Sequence, residues 1–176
     1  MAVTTYVAFL RGVNVGGNNL IPKNELASIG QRAGLSRVRT YINSGNILFT
    51  SNRPEGELAV ALEKELKGAT GKEIRVVIRS AIELAEIVAT NPFPDAVPSQ
   101  VGVLLVFGPV RKEIVKEFVT PGKETVVAGK REVYIHYPDG MGRSKLKGPA
   151  LLRDGTMRNI NTLTKLAGLA AGRPGE

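Results

Sequence analysis

Between Val3 and Arg79 the apolar residues change their period in a set order, and that order restricts the fold more than any other feature of the chain. Tyr6 to Leu10 is a short apolar run that ends at Gly12, Gly16 and Gly17, so it reads as a strand leading into a loop. Pro22 suits the first turn of a helix carrying Leu26, Ile29 and Ala33. Val38 to Ile42 and Ile47 to Thr50 are β-rich runs split by Asn43, Ser44, Gly45 and Asn46, which predicts a hairpin. Pro54 opens a second helix with Leu58, Ala61, Leu62 and Leu66 on one stripe. Glu63 and Lys67 are placed as an i,i+4 pair there, and Gly68 and Gly71 are candidate stops. Ile74 to Ile78 completes the order β-α-β-β-α-β, the ferredoxin-like arrangement.

A second, related pattern follows. Ser80 and Glu83 form a capping-box pattern ahead of Leu84, Ile87 and Val88, and Pro92, Pro94 and Pro98 then make a stop and a stiff connection. This predicts a first lobe over residues 1–80 and a second over 81–176. Val101 to Phe107 reads as a strand, Pro109 starts a helix with Val110, Ile114, Val115 and Phe118, and Thr125 to Ala128 and Val133 to Tyr137 read as strands. Beyond them we expect a short helix near Ser144 to Leu151, a turn at Asp154 and Gly155, and a final helix from Arg158 to Ala171. The expected fold class is α+β with two lobes, the second a βαββ unit with C-terminal helices. No residue-by-residue repeat between the halves stands out.

Composition narrows the chemistry. The chain has no cysteine and one histidine, so disulfides and thiolate chemistry are excluded and a zinc site would have a poor ligand set. No metal site and no cofactor are expected. No eighteen-residue apolar run and no basic, then apolar, leader are present; the expectation is a cytoplasmic protein that does not engage a membrane. Lys+Arg 24 against Asp+Glu 16 gives a net charge of +8, which favours anionic partners. The densest basic stretch is 139–166, where Arg143, Lys145, Lys147, Arg153, Arg158 and Lys165 face only Asp139 and Asp154.

Gly12 to Gly17 fits the first six positions of the phosphate loop G-x-x-x-x-G-K-[ST], between a strand and a helix as that motif requires. Asn18 and Asn19 stand where the lysine and the hydroxyl should be, so the phosphate-binding cation and the magnesium ligand are both missing and an NTPase is rejected. Two readings of the loop remain: its amides cradle an anion with help from Arg11, or it is a crossover shaped by packing alone.

In the final helix Arg158, Asn161, Thr162 and Lys165 share one face and Ile160, Leu163, Ala167 and Ala170 the other. A cation at a helix start costs about 0.3–1 kcal/mol unless an anion offsets it. Either a bound anion does so at Arg158, or Asp154 does and the face is merely solvated. His136 is expected on a strand surface, and Tyr6 and Tyr41 in the core rather than on a nucleic-acid stacking platform. No nucleophile elbow or zinc-protease motif occurs, and Ser44 and Ser144 have no base identifiable by spacing.

Four polar blocks together resemble the bacterial family DUF1697: Phe9-Leu-Arg-Gly-Val-Asn-Val-Gly-Gly17, Thr40-Tyr-Ile-Asn-Ser-Gly-Asn46, Met141-Gly-Arg-Ser-Lys-Leu146 and Thr156-Met-Arg-Asn-Ile-Asn-Thr162. The resemblance implies a two-lobed α+β fold and no established activity, substrate or cofactor.

The resulting expectation is binding of a small phosphorylated or otherwise anionic ligand in a cleft between the lobes. The residues expected to hold it are Arg11, Gly12, Asn14, Gly16 and Gly17 on one wall, with Ser44 and Asn46 from the hairpin, and Ser144, Lys145, Arg158 and Asn159 on the other. Two alternatives stay open. One is nucleic-acid binding by the basic 139–166 surface; the other is a hydrolase or transferase whose residue pair is assembled only by folding.

Overall fold

The apolar run of the first strand has a direct cause, because both of its faces are buried. The computed structural model describes residues 2–13, 21–41, 45–153 and 155–172. In the first half β1 (Thr4–Leu10), α1 (Lys23–Arg32), β2 (Ser36–Tyr41), β3 (Asn46–Ser51), α2 (Glu55–Thr70) and β4 (Val76–Ser80) follow the expected order. They build an antiparallel sheet in the order β2-β3-β1-β4, so the ferredoxin-like arrangement is present. One face packs Ala8, Leu10, Ile47, Phe49, Val76 and Ile78 against Leu26 and Ile29 of α1 and Leu58, Leu62 and Leu66 of α2. The other face carries Val7, Phe9, Leu48, Val77 and Arg79, also buried. A strand enclosed on both sides loses the alternating pattern of a half-exposed one.

Proline and glycine set the helix limits. Pro22 and Pro54 stand at the N-caps of α1 and α2 with φ −59° and −69°, the value their rings impose. α2 ends at Gly71, whose φ of 71° is left-handed and whose N–H donates to Lys67 O at 2.8 Å. Gly68 lies inside the helix and does not stop it. The expected Glu63–Lys67 pair is replaced by contacts beyond the helix. Glu63 accepts the N–H of Val76 at 3.0 Å and lies 3.8 Å from Arg75, while Lys67 turns to Glu73 at 3.1 Å. A charged acceptor for an otherwise unsatisfied strand N–H is worth more than an exposed pair along a helix.

In the second half α3 (Ala81–Ala89) precedes β5 (Val101–Leu105), β6 (Thr125–Ala128), β7 (Glu132–His136), β8 (Thr156–Asn159) and α4 (Ile160–Ala170). These strands form an antiparallel sheet in the order β6-β7-β5-β8, the same order as the first. Three expectations need correction here. The helix from Pro109 is one short 3₁₀ helix, Lys112–Glu117, because Val110 N–H bonds Lys130 O and Val119 pairs with Lys147, tying down both flanks. The helix near Ser144 to Leu151 is replaced by 3₁₀ turns at Met141–Arg143 and Ala150–Leu152, since Gly148 and Pro149 are poor helix formers. The last helix begins at Ile160, and Arg158 belongs to a strand, since β8 pairs with the edge of β5, Val103 opposite Arg158.

The chain divides into two units, one reaching Glu83 and resuming at Gly168, the other Leu84–Ala167, so the divisions fall within α3 and α4. A local repeat links the strand–helix junctions. Ile78-Arg79-Ser80 followed by Leu84 and Ile87 corresponds at constant offset to Met157-Arg158-Asn159 followed by Leu163 and Leu166. Both arginines are buried, opposite Val7 and Val103 of the neighbouring strands. Both following residues cap a helix, Ser80 Oγ accepting Glu83 N–H at 3.2 Å and Asn159 Oδ1 accepting Thr162 N–H at 2.9 Å.

Candidate functional site

The Phe9–Gly17 and Thr40–Asn46 blocks meet at one end of the first sheet. The N–H of Leu10 donates to Gly45 O at 2.9 Å, and that of Arg11 to Arg75 O at 3.0 Å. Gly45 has φ 75°, and a Cβ there would lie 3.0 Å from Val13 Cβ, so only glycine fits between the two loops. Asn46 is fully buried and its Nδ2 donates to Tyr41 O at 3.1 Å, closing the hairpin mouth. Arg11 and Gly12 are exposed beside it, Gly12 at φ 70°. Asn14, Gly16, Gly17 and Ser44 lie outside the described residues.

The other two blocks meet in the second unit, on one face of its sheet. A Cβ at Gly102 of β5 would stand 2.8 Å from Met157 Sδ, 3.0 Å from Met141 Sδ and 3.1 Å from Tyr137 Cε2. The missing side chain therefore lets Met141 and Met157 approach the strand.

Beside this contact lies a recess of about 170 Å³ whose lining includes Glu124, Tyr137, Asp139, Arg143, Ser144 and Lys145. The Ser144 hydroxyl donates to Glu124 Oε1 at 2.7 Å and accepts the N–H of Leu146 at 3.1 Å. Glu124 also accepts the N–H of Gly122 at 3.0 Å. The Ser144 hydroxyl, chiefly, holds the Glu124 carboxyl below its ordinary pKa. Together these bonds tie the Ser144 loop to the turn at Gly122. Burial, then the Glu124 charge, push the Tyr137 phenol up to about 12. Among the described residues no carboxylate holds Arg143 or Lys145. Both are exposed.

A match to the family described as "Protein of unknown function (DUF1697)" spans residues 3–134. The chain belongs to this family. The matched span of this DUF1697 protein ends within β7, so it takes in Glu124 but not Ser144. The chain is also similar in structure to the conserved bacterial protein SP0830 from Streptococcus pneumoniae, with TM-score 0.77, 23% identity, and 96% of this chain and 99% of that one covered. That likeness shows a shared fold across both sheets. No curated protein matches the chain.

The DUF1697 chain deploys the remaining expected residues differently. Arg158 is buried on β8, where its guanidinium donates to Thr156 Oγ1 at 2.7 Å and to Met157 O at 2.9 Å, and burial pushes its pKa down to about 10. Asn159 is engaged as the cap of α4. The basic stretch 139–166 thus presents Arg143, Lys145, Lys147, Arg153 and Lys165 at the surface without Arg158. Tyr6 stacks on Phe49 with centroids 5.6 Å apart and donates to Arg53 O at 3.3 Å, so it is a core residue. His136 is half-buried, its ring tilted against Phe93. Among the described residues no three His, Asp or Glu side chains group as metal ligands, and no helix is long and apolar enough to cross a membrane.

Glu124 escaped sequence reasoning. It lies far from Ser144 along the chain, and no motif spacing links a glutamate after Pro121-Gly122 to a serine beyond the next hairpin.

Proposed function

We propose that this DUF1697 protein binds a small phosphorylated polyol, of the sugar-phosphate class, in the recess of its second unit, and that it does so in the cytoplasm. The observation that carries this reading is the grouping of Arg143 and Lys145, exposed cations that no carboxylate holds among the described residues, around a loop pinned by the Ser144–Glu124 hydrogen bond. The two cations suit a phosphate dianion. Asp139 and Glu124 on the same lining are acceptors, which suit the hydroxyls of a polyol and disfavour a second phosphate. The net charge of +8 adds long-range attraction. Binding rather than catalysis is favoured because the depressed Glu124 carboxyl is a weak base.

Calorimetry and thermal unfolding with glucose 6-phosphate, against glucose and inorganic phosphate, test this. Binding of the phosphorylated sugar is expected to exceed that of either fragment and to vanish in an Arg143→Ala/Lys145→Ala variant, while Lys23→Ala leaves it intact. A saturating ligand at about 100 times its Kd stabilises by roughly 2.7 kcal/mol, an easily read shift. No shift with the sugar phosphate, or an equal shift in the double variant, would rule out the recess.

A further inference from the structure

The edge of the first sheet carries two exposed cations, Arg37 and Arg39, that no carboxylate holds among the described residues. β2 is one of the two edge strands, with β3 on one side only. Its register slips between Ser36 and Arg39, the mark of a β-bulge. Arg37 sits in that bulge with φ 50°, a left-handed conformation that glycine would adopt without strain, and it alone among the described non-glycine residues has a positive φ. The bulge directs Arg37 to the junction of two grooves. One, of about 500 Å³, runs past Gly34, Ser36, Thr50, Asn52 and Arg53; the other, of about 440 Å³, runs past Thr5, Arg39, Leu48, Thr50, Leu169 and Ala170.

Elsewhere in this unit Arg32, Arg53, Arg75 and Arg79 each stand against a glutamate. Arg37 and Arg39 are exposed and, among the described residues, have no carboxylate partner. Bulges and charges also serve to protect sheet edges from self-association. That role needs no groove, whereas here Arg37 lines both grooves and Arg39 one of them, with the hydroxyls of Ser36 and Thr50 in the first and Leu48, Leu169 and Ala170 in the second.

We propose that the β2 edge docks an extended acidic peptide, which adds as a strand beside Arg39–Tyr41 while its carboxylates meet Arg37 and Arg39. Strand addition satisfies edge backbone groups, and alternate side chains of the added strand point to opposite faces, so acidic residues at alternate positions lie on the face that Arg39 shares with its partner Leu48, while the intervening apolar ones lie on the face of Val38. Single-stranded nucleic acid fits less well. Its bases need exposed aromatic platforms, and Phe49, the aromatic residue of these grooves, is buried in the core.

Fluorescence anisotropy with the full chain and a labelled alternating Glu–Val octapeptide tests the proposal, with a Lys–Val octapeptide and an octauridylate as comparison probes. The Glu–Val peptide is expected to bind saturably, and Arg37→Glu/Arg39→Glu to weaken it by about tenfold or more. Arg37→Gly removes one charge at a position whose φ of 50° glycine adopts without strain, and a weaker loss is expected from it. Arg143→Ala should leave peptide binding unchanged, separating this edge from the recess. Amide exchange should slow at Arg39–Tyr41 on binding. Absence of binding, equal binding of the Lys–Val peptide, tighter binding of the octauridylate, or indifference to the charge reversal each overturns it.

Discussion

Ser144 and Glu124 are joined by a 2.7 Å hydrogen bond in which the hydroxyl donates to the carboxylate. This bond is the largest reason that the Glu124 pKa lies below its ordinary value of 4.5. A carboxyl with a depressed folded-state pKa adds stability while ionised. The contribution is complete above the unfolded pKa and is lost as pH falls through the folded one. Ser144→Ala is therefore expected to lower the thermal midpoint at neutral pH and to converge on the parent as Glu124 protonates, in melts followed by circular dichroism down to about pH 3. A constant gap at every pH would mean that Ser144 acts through packing alone.

The phenols of the second unit give the opposite pH dependence. Tyr134 donates to Ile87 O at 2.7 Å and lies 3.1 Å from Thr90 Oγ1, and burial pushes its pKa up to about 12. Tyr137 is likewise pushed up to about 12. A folded state that retains protons the unfolded chain releases has this stability in full below the unfolded value of 10, and loses it as pH rises through 12. Phenolate absorbance should show Tyr134 and Tyr137 ionising late, with one late phenol fewer in Tyr134→Phe. At neutral pH that variant should lose roughly 1 kcal/mol of unfolding free energy. Ionisation of Tyr134 and Tyr137 near 10 would contradict the buried geometry.

Two glycines three positions apart should respond with opposite sign. Gly68 is inside α2, and a Cβ there meets nothing within 4 Å. Gly68→Ala should stabilise by about 0.5–1 kcal/mol, because alanine loses less backbone entropy in a helix. Gly71 ends the helix at φ 71°, and Gly71→Ala should destabilise by about 1–2 kcal/mol through the left-handed strain. Urea unfolding midpoints read both. Equal signs would place the end of the helix elsewhere.

Much of the fold was legible because the signals are local. Pro22 and Pro54 stand at the helix starts, Gly71 at a stop, and the β-α-β-β-α-β order follows from residues a few positions apart. The errors concentrate after Gly108, where pairing partners distant in sequence decide. Val110 and Val119 bond to Lys130 and Lys147, and those bonds shorten the expected helix to a 3₁₀ segment. β8 is four residues long, too short for its period to be told from the first turn of the helix that follows. Sequence alone therefore points to Arg158 as a helix-start cation, whereas it is a buried strand residue.

The candidate site was legible in part. Ser144 and Lys145 line the recess, but their acidic counterpart Glu124 comes from another loop. The repeat around Arg79 and Arg158 was hidden for a related reason. Only the arginine and one leucine are identical, Leu84 with Leu163, and the equivalence shows once both strands are paired against Val7 and Val103.

By itself the sequence determined the kinds of element, their order and the turns between them, because periodicity, proline rings and left-handed glycines act within a few residues. It also excluded thiol chemistry, by having no cysteine. Tertiary structure alone decided which charges are buried, which are compensated and which share a recess. Those outcomes depend on strand register, where a one-residue slip would exchange the two faces of a sheet and carry Arg158 to the side of Met157.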